Sequence, residues 1–140
     1  MAGTNKQTNL ITALSPFTAW QSLYFGCTNC PEAQPDADPY GKGMSNTNQF
    51  LAGLNPTDLA SVLQIISIAP QGTNMVITWK TAGVRTNAVQ ASSAGSYTNG
   101  FANISGPIVI NVDGDTTTNF TDVGGATITP VRFYRIRLVP

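Results

Sequence analysis

The amino-acid sequence predicts a mainly β fold, an antiparallel sandwich of the immunoglobulin or fibronectin III type preceded by a short helical, loop-rich N-terminal region. Residues 59–140 contain seven short runs of β-prone residues, and turn residues separate each run from the next. Apolar and polar residues alternate within several runs, which is typical of strands with one buried face. The residues before them are rich in proline and glycine and contain two segments with helical spacing.

This texture divides the chain into three regions. Residues 1–26 are an N-terminal extension with a candidate donor segment and a short helix. Residues 27–58 hold a Cys-x-x-Cys motif and a loop that is similar to calcium-binding loops, and residues 59–140 form the sandwich. A chain of 140 residues is long enough for one hydrophobic core and too short for two.

Capping signals predict both helices of the N-terminal half. The short apolar run from Leu10 to Leu14 is compatible with a strand or with a buried helical turn. The first helix begins after Ser15, with proline at its first position, and ends at Gly26. The second helix begins after Ser45 and ends at Gly53. An apolar face on the first helix must be buried; it is formed by Phe17, Trp20, Leu23 and Tyr24.

Seven strands are predicted for the sandwich, at 62–68, 75–80, 85–91, 97–104, 108–112, 117–123 and 133–138. Residues 70–72 end the first strand, and Asp113-Gly114 is a hairpin turn. Trp79 is the central aromatic residue of the core. Inward rows are formed by Met75, Ile77 and Trp79, by Ile108, Ile110 and Val112, and by Tyr134, Ile136 and Leu138.

The composition excludes several classes of function. Seven basic and seven acidic residues give a formal charge of zero, which argues against an electrostatic nucleic-acid binder. Histidine is absent, so Ser-His-Asp and Cys-His catalysis and histidine-ligated metals are excluded, and we expect no enzyme. No apolar run reaches the ~20 residues of a membrane span. Charged residues make up 10% of the chain, and so little charge favours self-association.

Cys27 and Cys30 are the two cysteines of the chain. A zinc site needs four ligands, and a haem attachment needs histidine where Pro31 stands. A redox dithiol is the alternative, although the sequence lacks the βαβ pattern in which such motifs occur. We favour a small structural disulfide formed in an oxidising compartment, which indicates an extracellular or cell-surface protein.

The segment that follows the cysteines, residues 36–58, resembles the single calcium loops of thrombospondin type 3 repeats and dockerins, D-x-D-x-D-G-x-x-N-x-x-E. Aligned on Gly43, the match retains Asp38 at position 1, a carbonyl from Met44 at position 7 and Asn46 at position 9. Asp36 is a further carboxylate nearby.

The acidic ligands at positions 3, 5 and 12 of that loop are lost, since Tyr40, Lys42 and Gln49 stand there. An ammonium group at a ligand position repels a cation and can bond to the same carboxylates. The resemblance therefore implies a calcium-loop fold in which Lys42 takes the place of the ion, and calcium is at most a weakly bound cofactor.

A longer pattern over residues 20–140 carries a family resemblance. It combines the Cys-x-x-Cys-Pro motif, the altered calcium loop, the segment 50–58 and a sandwich that ends in 132–138. This pattern resembles a recurrent C-terminal module of exported proteins in environmental bacteria. The chain is also similar to β-sandwich subunits of extracellular bacterial fibrils, in which an N-terminal segment reaches into the neighbouring subunit.

Two further sets of residues are candidate sites in the β half. N-x-S/T sequons begin at Asn103 and Asn119 and make these asparagines candidates for glycosylation. Arg132, Arg135 and Arg137 lie close together. They form a solvated face or, alternatively, pair with carboxylates across a subunit contact.

These observations favour a structural subunit of an extracellular filament or surface assembly, whose partners are copies of itself. The N-terminal residues Leu10, Ile11, Leu14 and Phe17 would pack on the next subunit by strand addition or groove packing, and the chain would polymerise head-to-tail. One alternative is a secreted carbohydrate-binding or attachment module in which Tyr40, Tyr97 and Phe101 stack on sugars. Another is a C-terminal secretion or sorting domain.

Overall fold

The computed structural model describes residues 14–92, 97–128 and 132–140. Helix α1 spans Pro16–Phe25, a single 3-10 turn follows at Pro31–Ala33, and helix α2 spans Asn46–Ala52. Both helices have the predicted caps. The hydroxyl oxygens of Ser15 and Ser45 each accept a backbone N–H of the first turn, and Gly26 and Gly53 adopt φ values of 72° and 73°.

The mainly β prediction is confirmed by two antiparallel sheets. The strands are β1 Gln64–Gln71, β2 Asn74–Ala82, β3 Arg85–Ser92, β4 Phe101–Asn103, β5 Ile108–Ile110, β6 Asp115–Asp122 and β7 Phe133–Val139. The first sheet has the order β1-β2-β6. In the second sheet β7 pairs along one edge of β3, while β4 and β5 pair in succession along its other edge.

The core lies between the two sheets and is centred on Trp79, as predicted. Ile77, Trp79 and Val89 are fully buried. The Trp79 indole N–H donates to Asn87 Oδ1 at 3.1 Å, so the one polar atom of this ring is satisfied inside the core. The predicted alternation of β7 is also confirmed, because its even-numbered residues are half-buried and Phe133, Arg135 and Arg137 are exposed.

A second, smaller cluster joins the helical region to the sandwich. It contains the buried residues Ala52, Leu54 and Ala82. Arg85 fastens the same junction, since its guanidinium donates to the carbonyls of Leu51 and Phe50 at 3.1 and 3.3 Å. These carbonyls belong to the last turn of α2, where a helix has unpaired acceptors, so Arg85 caps the helix from the sandwich.

Several strand boundaries differ from the predictions. Strand β1 continues through Pro70 to Gln71, and the turn falls at Gly72, because β1 is an edge strand and tolerates proline. Asp113-Gly114 is not a hairpin turn, since β5 and β6 belong to different sheets and the turn crosses between them. Val112 lies beyond β5 and is 47% exposed. Of the predicted strand 97–104, Phe101–Asn103 forms β4.

Candidate functional site

The cysteine pair lies directly after α1. Cys27 and Cys30 form a disulfide with their Cα atoms 6.0 Å apart, in agreement with the prediction. The Glu32 carboxylate lies within 4.8 Å of the two sulfur atoms, so these side chains form the one potential metal cluster among the described residues. Three ligands of which two are oxidised do not make a zinc site, because zinc needs thiolates and four ligands.

The loop after the disulfide is shaped by the Asp38 carboxylate. Asp38 Oδ1 accepts the backbone N–H of Lys42 at 2.9 Å, and Oδ2 accepts that of Gly43 at 2.7 Å. Gly43 has φ of 78°, which favours glycine. Asp36 is exposed and makes no hydrogen bond or ion pair within the described part of the chain.

Buried amide side chains hold the other half of the loop. Asn46 is fully buried and donates from Nδ2 to the carbonyls of Glu32 and Gln34, both at 2.8 Å. Gln49 is fully buried and donates from Nε2 to the carbonyl of Met44 at 2.8 Å. The calcium-loop resemblance places Asn46 and Met44 at ligand positions. In the structure the Met44 carbonyl accepts from Gln49, whereas Asn46 bonds through Nδ2 and its buried Oδ1 has no hydrogen-bond partner within the described residues.

The donor set does not fit a calcium ion. Calcium takes about six to eight oxygen ligands, with several carboxylates among them. In this loop Asp38 is the one carboxylate at a ligand position, and the Met44 carbonyl already accepts the Gln49 amide. Hydrogen bonds from backbone and amide groups therefore hold this loop.

Lys42 does not take the place of the ion, contrary to the prediction. Its Nζ donates to the carbonyl of Asn55 at 2.7 Å and forms no ion pair with Asp38 within the described residues. Partial burial lowers the pKa of Lys42, and the carboxylates of Asp58, Asp115 and Asp38 oppose this shift. The side chain thus ties the loop to the turn after α2.

The four residues predicted to contact another subunit have three different placements. Leu10 and Ile11 lie outside the described residues. Leu14 is 58% exposed and available for a contact. The Phe17 ring stacks on Trp20 at 5.7 Å and meets Phe50 edge-on at 5.4 Å. Phe17 is thus packed within its own chain, between the two helices.

Strand β1 is an exposed, apolar edge strand. Seven of its eight residues are exposed, and within the described residues it pairs with β2 on one edge alone. Ile68 pairs with Ile77, so both side chains lie on the core side of the sheet. Ile77 is fully buried whereas Ile68 is 47% exposed, so the sandwich does not close over this edge.

The three arginines near the C-terminus have different surroundings. Arg132 pairs with Asp122 of its own chain, and Tyr134 donates its hydroxyl to the same carboxylate oxygen at 2.7 Å. Partial burial and then the hydrogen bond to Asp122 raise the pKa of Tyr134 to about 12. Arg135 and Arg137 lie on the outer face of β7, where both are exposed.

The candidate glycosylation and sugar-stacking residues are spread over the surface. Asn103 and Asn119 are both exposed, in β4 and β6 respectively. Tyr40 is 48% exposed on the loop before α2, remote in sequence from Tyr97 and Phe101 and without an aromatic partner in the described chain. Tyr97 and Phe101 flank the outer face of the second sheet, so the predicted trio does not form one platform.

Comparison with known proteins finds no match to a protein family, a curated protein or a solved structure. The resemblance to exported bacterial modules therefore remains a prediction from the sequence. Within residues 14–92, 97–128 and 132–140, none of the helices has the length and apolarity that a membrane crossing requires.

Proposed function

We propose that this protein is a non-catalytic structural subunit of an extracellular or surface assembly, in which copies associate by adding a strand to the free edge of β1. The observation that carries the proposal is the half-exposed Ile68 on the core-facing side of an edge strand. An apolar, unpaired edge is a template for pairing with another chain.

The chemistry of β1 suits an uncharged partner strand. The strand reads QIISIAPQ and has no charged residue, and Ile66 is 49% exposed beside Ile68. Natural edge strands usually carry charge, in particular lysine, to prevent such pairing. A bulge between Ile65 and Ser67 and the proline near the end restrict the free backbone groups to the middle of the strand.

The proposed occupant is the segment before α1 of another copy. It contains Leu10, Ile11 and Leu14, and residues 7–14 carry no charge. An apolar segment laid along β1 would cover Ile68 and complete the core on that side. Because the donor segment and the acceptor edge are different surfaces, the contact is heterologous and propagates instead of closing a dimer.

The disulfide supports an extracellular location, and the low charge supports association between copies. Disulfides persist in oxidising compartments. The Cys27–Cys30 bond is formed in the structure, and 10% charged residues leave little electrostatic repulsion between copies.

The test is the assembly state of an edge-blocking variant. Ile68→Lys places a charge at the free edge and should convert concentration-dependent oligomers or filaments to monomers in sedimentation velocity and electron microscopy. Leu10→Lys with Ile11→Lys should have the same effect from the donor side. Val109→Lys is the matched control, since Val109 is 56% exposed on β5 of the other sheet.

Two results would contradict this function. The first is a wild-type protein that stays monomeric at high concentration. The second is Ile68→Lys assembling as the wild type does. Assembly that survives the N-terminal changes but not Ile68→Lys would retain the β1 edge and reject the donor segment.

A further inference from the structure

The outer face of the second sheet carries a row of aromatic and amide side chains. Phe101, Ser92 and Phe133 are register partners across β4, β3 and β7. The next row towards the middle of β3 is Asn103, Gln90 and Arg135. Paired residues project on the same side of a sheet, so the side chains of each row share this outer face.

Arg135 is held in a fixed position on this face. Its Cζ lies 4.2 Å from the centroid of the Phe101 ring, and its Nε donates to Gln90 Oε1 at 2.7 Å. Gln90 is 9% exposed and donates from Nε2 to Asn103 Oδ1 at 2.8 Å. The buried glutamine thus orients the arginine, while Asn103 in turn orients the glutamine.

The terminal nitrogens of Arg135 remain available for a ligand. Nη1 and Nη2 make no hydrogen bond or ion pair within the described residues, and the side chain is exposed. A guanidinium with both terminal nitrogens free presents the planar fork that binds a carboxylate through two parallel hydrogen bonds. Because the group is already oriented, binding immobilises little additional side-chain freedom.

Aromatic rings lie beside this fork. Tyr97 is 75% exposed and packs edge-on against Phe133 with ring centroids 5.9 Å apart, and Phe133 is 38% exposed. Both rings offer an apolar surface, and the Tyr97 hydroxyl adds a polar group beside it, which suits ligands that are apolar on one side and polar on the other.

The charge of this face is positive. Strands β3, β4, β5 and β7 contain no acidic residue. Arg137 lies two residues after Arg135 on the same side of β7 and has no ion pair within the described chain. This second guanidinium would meet a further anionic group of a repeating ligand.

We infer that the outer face of the second sheet binds a carboxylate-bearing polysaccharide, a polymer of uronic acids. Arg135 binds a carboxylate, Arg137 binds a neighbouring one, and Tyr97 and Phe133 contact the sugar rings. The repeating ligand is favoured over a single acid because the cations and the rings form an extended row. This inference is independent of strand addition, since β1 belongs to the other sheet.

The probe is polygalacturonate, with its methyl-esterified polymer as the uncharged counterpart. We expect the full chain to be retarded in affinity electrophoresis by polygalacturonate and not by the ester. Arg135→Gln should weaken binding about tenfold, because a charge-assisted pair of hydrogen bonds is lost. Arg135→Lys should recover little, since lysine keeps the charge but not the fork. Tyr97→Ala should weaken binding roughly fivefold.

Lys80→Gln is the matched control for charge. Lys80 is exposed on β2 of the first sheet, and its loss should leave binding unchanged. Thermal melts of each variant verify folding, and the highly exposed Tyr97 provides a change that leaves the core intact.

Four outcomes would overturn the inference. They are no retardation of the wild type, equal retardation by the ester, equal retardation by polyglutamate, and equal losses for Lys80→Gln and Arg135→Gln. Equal retardation by the ester would mean that the carboxylate is not recognised, and equal retardation by polyglutamate would mean that the sugar is not recognised. Equal losses for Lys80→Gln and Arg135→Gln would mean that binding depends on overall charge and not on this face. Monomeric protein that still binds polygalacturonate would sustain this inference while rejecting strand addition.

Discussion

The helical region, residues 14–58, and the sandwich, residues 64–139, provide hydrogen-bond partners for their buried backbone groups in different ways. In the sandwich the largest fully buried side chains are the apolar Trp79, Ile77 and Val89, and the strand ladders pair the backbone. The buried Asn87 of this region accepts from the side chains of Trp79 and Thr81 and not from a loop backbone. In the helical region the largest buried side chains include the amides Asn46 and Gln49. Each of these amides donates to main-chain carbonyls of a loop.

This difference shows which groups replace the backbone hydrogen bonds of paired strands in a loop-rich segment. Buried carbonyls need donors, and a loop supplies few from its own backbone. Side-chain amides therefore do the pairing, and the disulfide and the aromatic contacts of α1 stabilise the remainder. Stability should accordingly depend on apolar volume in the sandwich and on individual hydrogen bonds in the helical region.

The largest expected effect is a difference in unfolding free energy between alanine variants of the two tryptophans. Trp79→Ala should cost about 4 kcal/mol of unfolding free energy, because it leaves a cavity in the core and removes one of the two donors to Asn87 Oδ1. Trp20→Ala should cost about 1.5 kcal/mol, since this ring is half-buried at the surface of the helical region. Urea denaturation of both variants measures the two losses of unfolding free energy. Equal costs would mean that the two regions share one kind of core.

A smaller effect is expected for the two asparagines of α2. Asn46→Ala removes both donors to the Glu32 and Gln34 carbonyls and should cost about 2 kcal/mol. Asn48→Ala is the control on the same helix; Asn48 is exposed, and the change should stay within about 0.5 kcal/mol. A cost for Asn46→Ala as small as that of Asn48→Ala would show that the amide does not organise the loop.

The sequence could predict the features that depend on neighbours along the chain. Both helices and their caps at Ser15 and Ser45 follow from local hydrogen-bonding preferences, and the alternation around Trp79 identifies the core strand. Asp113-Gly114 could not be assigned correctly, because a local turn signal does not say which strands pair.

Long-range contacts were beyond the same reasoning. Lys42 reaches Asn55, thirteen residues away, and Arg135 reaches Gln90, forty-five residues away, through strand register. The amides of Asn46 and Gln49 belong to a motif that suggested an ion, and the sequence does not reveal which atoms they face. Tyr97 and Phe101 were predicted to stack on sugars, and their contacts with Phe133 and Arg135 depend on the fold and could not be predicted.

The smallest expected effect is a loss of stability at alkaline pH. The pKa of Tyr134 is raised from 10.0 to about 12 in the folded protein, so the folded state holds this proton more tightly than the unfolded chain. The contribution is present below pH 10.0 and is lost as the pH rises towards about 12. In Tyr134→Phe this component of the slope should vanish, as measured by denaturation at a series of pH values. An unchanged slope in that variant would assign the loss to other groups.

Hydrogen exchange of β1 as a function of protein concentration tests the central claim most directly. If the segment before α1 of another copy adds to this edge, amides within Gln64–Gln71 become protected as concentration rises, while those of β2, already paired on both sides, do not change. Exchange of β1 that is fast at every concentration would contradict assembly through this strand.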